Sequence, residues 1–144
     1  MTYKELTAVV QIVSVAVVAC WVGLQMAGNP EVTASVPAAA MMLLWAIGIS
    51  IVFNIAVLIV GTILVSIAQG REVKDERADE RDRAITDRSM RNGYFVMSVG
   101  ALVALLVLAF GNVPPVTAAY ALFAVAMLGG AADAVSRLVY YRIG

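Results

Sequence analysis

Residues 71–91 read REVKDERADERDRAITDRSMR and carry 14 of the 20 acidic and basic side chains of the chain. The remainder is nearly free of charge, and 62% of all residues are hydrophobic, with a mean hydropathy of +0.90. A soluble domain is typically about 45–50% apolar. A chain of 144 residues cannot bury such a surplus in its own core. The sequence therefore predicts a membrane protein whose longest polar segment lies outside the bilayer.

Composition narrows the chemistry that the chain can perform. It has no His and a single Cys, Cys20, which lies within an apolar run. Disulfide frameworks, cysteine-based zinc sites and the Ser-His-Asp triad are therefore excluded. A net charge of zero argues against a nucleic-acid partner. We expect no enzyme activity, no cofactor and no metal site.

Four apolar segments flank the charged stretch, two on each side. A spanning helix needs about 20 apolar residues. The 31 residues from Ala38 to Ala68 carry no charge, and a helix of that length is about 46 Å long, so it must tilt or project from the membrane. A cleaved signal peptide is the alternative for the first segment, but its length favours an uncleaved helix. The chain is thus predicted to be one all-α transmembrane domain over 1–144, with spans at 6–26, 38–68, 94–110 and 116–138.

The basic residues predict the orientation. They lie at Lys4, in the charged stretch, and at Arg137 and Arg142, whereas the turns at 28–37 and 111–116 have none. Four spans place all the basic regions on one side, which is the cytoplasmic side in multi-pass proteins. We expect a cell (inner) membrane protein with both termini and the charged stretch in the cytoplasm.

The two turns resemble each other, since 28–34 reads GNPEVTA and 111–118 reads GNVPPVTA. This similarity predicts two helical hairpins, spans 1–2 and 3–4, related by a parallel repeat. The alternative is that turns between spans generally favour Gly, Asn and Pro.

The charged stretch has the composition of a helix over 71–91, with breaks expected at Gly70 and at Asn92-Gly93. On a helical wheel the charges separate into two faces, and Arg83 is the one base among the acids. The basic face consists of Arg71, Lys74, Arg77, Arg81, Arg88 and Arg91, together with small apolar residues including Ile85. The acidic face consists of Glu72, Asp75, Glu76, Asp79, Glu80, Asp82 and Asp87.

Like charges then stack four residues apart, which destabilises an isolated helix. Three external partners would offset this cost: anionic lipid headgroups on the basic face, the opposite face of a sister subunit, or a divalent cation on the carboxylate rows. The fourth interpretation is a solvated connector without a partner.

Among the polar residues within or near the predicted spans, the candidates for function are Gln11, Asn54, Asp133 and Arg137. Ala46-Ser50-Asn54 and Ala126-Gly130-Ala134 form small-residue rows suited to helix contact, and Gly129-Gly130 lets a backbone approach closely. We therefore interpret these groups mainly as interhelical contacts. The alternative is a polar path. Asp133 and Arg137 are one turn apart, which favours an ion pair over a proton relay.

The stretch Asp75–Val96, DERADERDRAITDRSMRNGYFV, resembles the signature of a family of small four-helix prokaryotic membrane proteins, a domain of unknown function. The resemblance covers the charged stretch and the third span. It implies a bacterial or archaeal cell-membrane protein and assigns no catalytic residue.

Two functions follow as hypotheses. The first is a regulatory or assembly protein, acting through residues 71–91 on a soluble cytoplasmic protein, a sister subunit in a homo-oligomer, or the lipid surface. The second is a small oligomeric channel or transporter whose path is lined by Gln11, Asn54 and Asp133.

Overall fold

The chain folds as an all-helical protein in a computed structural model that describes residues 3–70 and 79–143. Four of its helices are long and apolar enough to cross a membrane. In chain order the helices are α1 (Tyr3–Gly28), α2 (Pro30–Ala34), α3 (Val36–Gln69), α4 (Glu80–Phe110) and α5 (Val116–Ile143).

Local sequence explains where the helices end. The Ser35 hydroxyl caps α3 by accepting from the Ala38 amide at 3.3 Å, and Pro37 occupies its first turn. Gly70 closes α3 with a φ of +61°, a left-handed conformation that a residue without Cβ adopts readily. Helix α2 begins at Pro30 and ends before Ser35, whose backbone is extended. Because Ser35 is also the N-cap of α3, α2 and α3 are separate helices.

The four long helices contain the four predicted spans, but the charged stretch differs from its prediction. Residues 71–78 lie outside the described residues. Asp79 is extended, with φ −77° and ψ 178°, so no unbroken helix covers 71–91. The break expected at Asn92-Gly93 is also wrong, because α4 runs without interruption from Glu80 to Phe110. The charged residues from Glu80 onward and the third span thus form one rod.

Helix α5 is the central element of the bundle. It packs most extensively against α4, also contacts α1, and makes a smaller contact with α3. Helix α1 also packs against α3. At the end of the bundle that carries the 28–35 and 111–115 turns, which we call the turn end, a core cluster forms from Val18, Val22, Met42, Leu43 and Ala46. There the Tyr120 hydroxyl donates to the Val32 carbonyl oxygen at 2.9 Å.

Glycines set the approach of α4 to α5. A Cβ at Gly93 would lie 2.9 Å from the Gly129 carbonyl oxygen and 3.1 Å from Asp133 Cβ. A Cβ at Gly129 would lie 3.2 Å from the Gly93 carbonyl oxygen. The two backbones are therefore in direct contact, the kind of close packing that small residues permit between helices in lipid.

Helix α3 is the least packed of the four. The most apolar 18-residue window within it holds no buried residue, whereas a third of the corresponding window of α1 is buried. One side still faces the bundle: Ala39, Leu43 and Ala46 are buried, and Ser50 and Asn54 are half-buried. The predicted row Ala46-Ser50-Asn54 thus lies on the inner side of α3, and its outer side is apolar surface.

Candidate functional site

The polar chemistry of the described residues concentrates at the end of the bundle opposite the turns. We call this the charged end and define it by Lys4, Asp82 and Arg137. There the start of α4 is fixed by a capping box: Asp79 Oδ1 accepts from the Asp82 amide at 2.7 Å, and Asp82 Oδ2 accepts from the Asp79 amide at 3.4 Å. Carboxylates suit this position because the first amides of a helix lack intrahelical partners and carry partial positive charge.

Asp82 also connects α4 to two other segments. Its Oδ2 forms an ion pair with Lys4 Nζ, and the Tyr141 hydroxyl donates to its Oδ1 at 3.1 Å. The side chains of Lys4 and Asp82 are only 23% and 21% exposed. One carboxylate thus joins the first turn of α1, the first turn of α4 and the last turn of α5. We call this set the Asp82 junction.

The predicted faces of the charged stretch are only partly described. Arg81, Arg88 and Arg91 of the basic face are exposed, as are Asp79, Glu80 and Asp87 of the acidic face. Asp82 departs from the expectation of a uniform acidic face, because it turns into the bundle. The other members lie outside the described residues: Arg71, Lys74 and Arg77 of the basic face, and Glu72, Asp75 and Glu76 of the acidic face.

A groove of about 450 Å³ lies between the start of α4 and the end of α5. Arg81 and Arg88 border it from α4, with Ala84 and Ile85 between them. Val139, Tyr140 and Ile143 of α5 form the opposite wall. Ile85 is only 7% exposed, so the apolar residue predicted on the basic face packs into the bundle. The groove therefore combines two cationic groups with an apolar lining.

The predicted ion pair within α5 forms, with Arg137 Nη2 2.7 Å from Asp133 Oδ2. Gln11 makes an interhelical contact, since its Nε2 donates to the Gly130 carbonyl oxygen at 3.2 Å. Asn54 instead donates to the Ser50 carbonyl oxygen of its own helix at 3.2 Å. No hydrogen bond among the described residues joins Asn54 to Gln11 or Asp133, so the structure brings together only part of the proposed polar path.

Sequence reasoning missed a second polar contact between α4 and α5. Asn92 Nδ2 donates to Ser136 Oγ at 3.0 Å and to the Tyr140 hydroxyl oxygen at 2.9 Å. The sequence instead predicted a helix break at Asn92-Gly93. The local sequence gives no signal for this contact, because its partners are 44 and 48 residues away.

Three buried polar atoms have no hydrogen-bond partner within the described part of the chain: Ser14 Oγ, Asp133 Oδ1 and Arg137 Nε. Such atoms are costly in an apolar surrounding and are commonly satisfied by ordered water. All three lie on α1 and α5, the helices that Gln11 connects.

No group of three or more acidic, His or Cys side chains within 3–70 and 79–143 is arranged to hold a metal ion. Of the acidic-face carboxylates that could form the predicted rows for a divalent cation, Glu72, Asp75 and Glu76 lie outside these ranges. Asp79 is occupied in capping α4.

Together, the fold and the charged end define a multi-pass, all-helical membrane protein with polar contacts gathered at one end. No family model, no curated protein and no solved structure matches the chain. The resemblance of Asp75–Val96 to a prokaryotic membrane-protein family stays a prediction.

Proposed function

We propose that the chain is a non-enzymatic regulatory or assembly protein of the cell membrane that acts through the charged start of α4. In this proposal the chain forms two hairpins, α1–α3 and α4–α5, with both termini and the charged stretch in the cytoplasm. The contacts of α1 with α3 and of α4 with α5 support the hairpins. The distribution of Lys and Arg supports the orientation.

The Asp82 junction is the observation that carries this proposal. A connector that only kept out of the bilayer would not need its first helical turn joined to both α1 and α5. Because the junction fixes this turn, the exposed side chains of Glu80, Arg83 and Asp87 project from a defined position. A fixed surface with charges of both signs suits a protein partner, since charge complementarity provides orientation and specificity.

Photo-crosslinking in native membranes tests the proposal. A photoreactive residue in place of Asp87 should give a discrete adduct, with a soluble protein or a second copy, that is weakened by Arg83→Glu and by high salt. The same residue at Leu105, which is 64% exposed on the apolar part of α4, is the matched control and should not give this adduct. Adducts that are identical at both sites, or unchanged by Arg83→Glu, would contradict the proposal.

The unpartnered atoms Ser14 Oγ, Asp133 Oδ1 and Arg137 Nε favour a second candidate, a small oligomeric channel or transporter. Buried water at these atoms would form the start of a polar path. Flux in liposomes that is lost in Asp133→Asn and in Asn54→Leu would support transport. If flux is absent, or is unchanged in Asp133→Asn, this candidate fails.

A further inference from the structure

The groove between the start of α4 and the end of α5 has an electrostatic character that the regulatory proposal does not use. Arg81 and Arg88 lie two turns apart on α4 and both border the groove. Neither forms an ion pair with any residue of the described ranges. The sequence explains why, since side chains three or four residues apart contact each other on a helix. On the C-terminal side of Arg81 these positions are 84 and 85, which are not acidic. Around Arg88 they are 84, 85, 91 and 92, which are not acidic either.

Arg83 provides the contrast on the same helix. It has Asp79 and Glu80 one turn before it and Asp87 one turn after it. Arg83 forms no ion pair within the described residues either, but these acids at i−4, i−3 and i+4 spacing lie close enough along the helix to offset its charge. Within residues 3–70 and 79–143, by contrast, neither groove arginine has an acid at these spacings or an ion-pair partner, although the chain as a whole is neutral.

The groove also offers a hydroxyl and an apolar lining. The Tyr140 oxygen accepts a hydrogen bond from Asn92, which leaves its own O–H available to donate. Val139 and Ile143 supply most of the exposed apolar surface, since Ile85, which also lines the groove, is largely buried. A small soluble anion would gain no binding free energy from the apolar lining. An amphiphile would gain it both from the cationic groups and from the apolar lining.

The position of the groove relative to the apolar segments of α4 and α5 suits a lipid. Val139 directly follows the apolar segment 116–138, and Arg88 precedes the apolar segment 94–110 by about 9 Å along the helix axis. Val139 and Arg88 therefore lie near the headgroup layer beside a hydrocarbon core of about 30 Å. Arg81 lies about 20 Å before the segment 94–110 along α4, but its neighbour Asp82 pairs with Lys4, which lies just before the apolar segment 6–26 of α1. The volume of about 450 Å³ is that of a small-molecule site rather than a protein interface.

We propose that this groove binds the headgroup of an anionic phospholipid, with Arg81 and Arg88 binding the phosphate and Val139 and Ile143 contacting the apolar part of the lipid. The guanidinium fork matches the geometry of phosphate oxygens. Lipid binding in the groove does not depend on the regulatory role, because that role uses the exposed side chains of Glu80, Arg83 and Asp87, which do not line the groove.

Lipid binding to the purified full-length chain in neutral phosphatidylcholine nanodiscs tests the site. Titration with fluorescent phosphatidylglycerol should show saturable binding that exceeds binding of an equally labelled phosphatidylcholine. The double variant Arg81→Gln/Arg88→Gln should weaken phosphatidylglycerol binding at least about tenfold, in line with loss of two cations near an anionic headgroup. Arg83→Gln removes the same type of charge outside the groove, and because three acids already offset that charge, it should change binding less than about twofold.

In this titration, the proposal would be overturned by unchanged binding in the double variant, by an equal loss in Arg83→Gln, or by displacement of the lipid by millimolar inorganic phosphate. The second would indicate a response to overall charge, and the third a site for a soluble anion. Val139→Asp, which places a negative charge in the groove while leaving both arginines present, should also weaken binding, and unchanged binding would contradict the site. All four side chains are exposed, and helical content by circular dichroism verifies that each variant is folded.

Discussion

At the scale of single residues, Asp82 combines roles that are usually separate. It belongs to the capping box of α4 and is the acceptor for both Lys4 and Tyr141. Carboxylates in the first turn are favourable on electrostatic grounds alone, because they face the positive end of the helix dipole. The two additional contacts make Asp82 a tertiary junction, since its partners are 78 and 59 residues away in the chain.

A double-mutant cycle between Lys4 and Asp82 measures this contact. Lys4→Met and Asp82→Asn should each lower the free energy of unfolding, with a coupling of about 0.5–1 kcal/mol, the range measured for ion pairs that are not fully buried. The measurement is unfolding of the detergent-solubilised protein. Pairing Lys4→Met with Asp87→Asn, an exposed acid on the same helix, is the control and should give no coupling. A cost of Lys4→Met that is the same with and without Asp82 would refute the junction.

At the scale of elements, the pairing of α4 with α5 rests on backbone contact. Gly93 and Gly129 face each other, and around them Asn92 bonds Ser136 and Tyr140. This arrangement gives a physical reason for the continuity of α4. Asn and Gly lower helix propensity, by up to about 1 kcal/mol for Gly, but here they are the residues that the neighbouring helix requires.

Alanine substitutions at two glycines distinguish the effect of packing between α4 and α5 from the effect of helix propensity. Gly93→Ala should destabilise the protein by about 1–3 kcal/mol, because the new Cβ meets a backbone oxygen that cannot move without shifting α5. Gly23→Ala, on α1, meets nothing within 4 Å, and should be neutral or stabilising by up to about 1 kcal/mol. Thermal unfolding in detergent gives both values. A Gly93→Ala variant as stable as Gly23→Ala would show that the backbones are not in contact.

At the scale of the whole molecule, the positive-inside distribution and the two ends of the bundle make a topological prediction. In a Cys20→Ala background, Glu31→Cys at the turn end should react with an impermeant maleimide in intact cells. Arg83→Cys at the charged end should react only after permeabilisation. Both side chains are exposed in the fold, so access across the membrane decides the result. The opposite labelling pattern would reverse the proposed orientation.

The sequence predicted features that depend on neighbours along the chain. The four apolar helices follow from length and hydropathy, and the Asp133–Arg137 ion pair follows from a spacing of four residues. The close approach at Gly129 follows from the absence of a side chain. None of these predictions requires knowing which helices are adjacent in the fold.

The missed features depend on contacts between distant segments. Asp82 belongs to the acidic face of an isolated helix, and only the placement of Lys4 and Tyr141 turns it into the bundle. Likewise, the groove beside Arg81 and Arg88 exists because α5 supplies its second wall. A helical wheel describes one helix at a time, so it cannot predict either feature.

The central position of α5 has a consequence for the order of biogenesis. Synthesis proceeds from the N-terminus, so α1 and α3 can meet as soon as both are in the membrane. Helix α4 leaves the ribosome before α5, the helix with which it makes its main contact. The Asp82 junction needs Tyr141, near the C-terminal end of α5. Assembly of the charged end therefore has to wait until α5 has been synthesised.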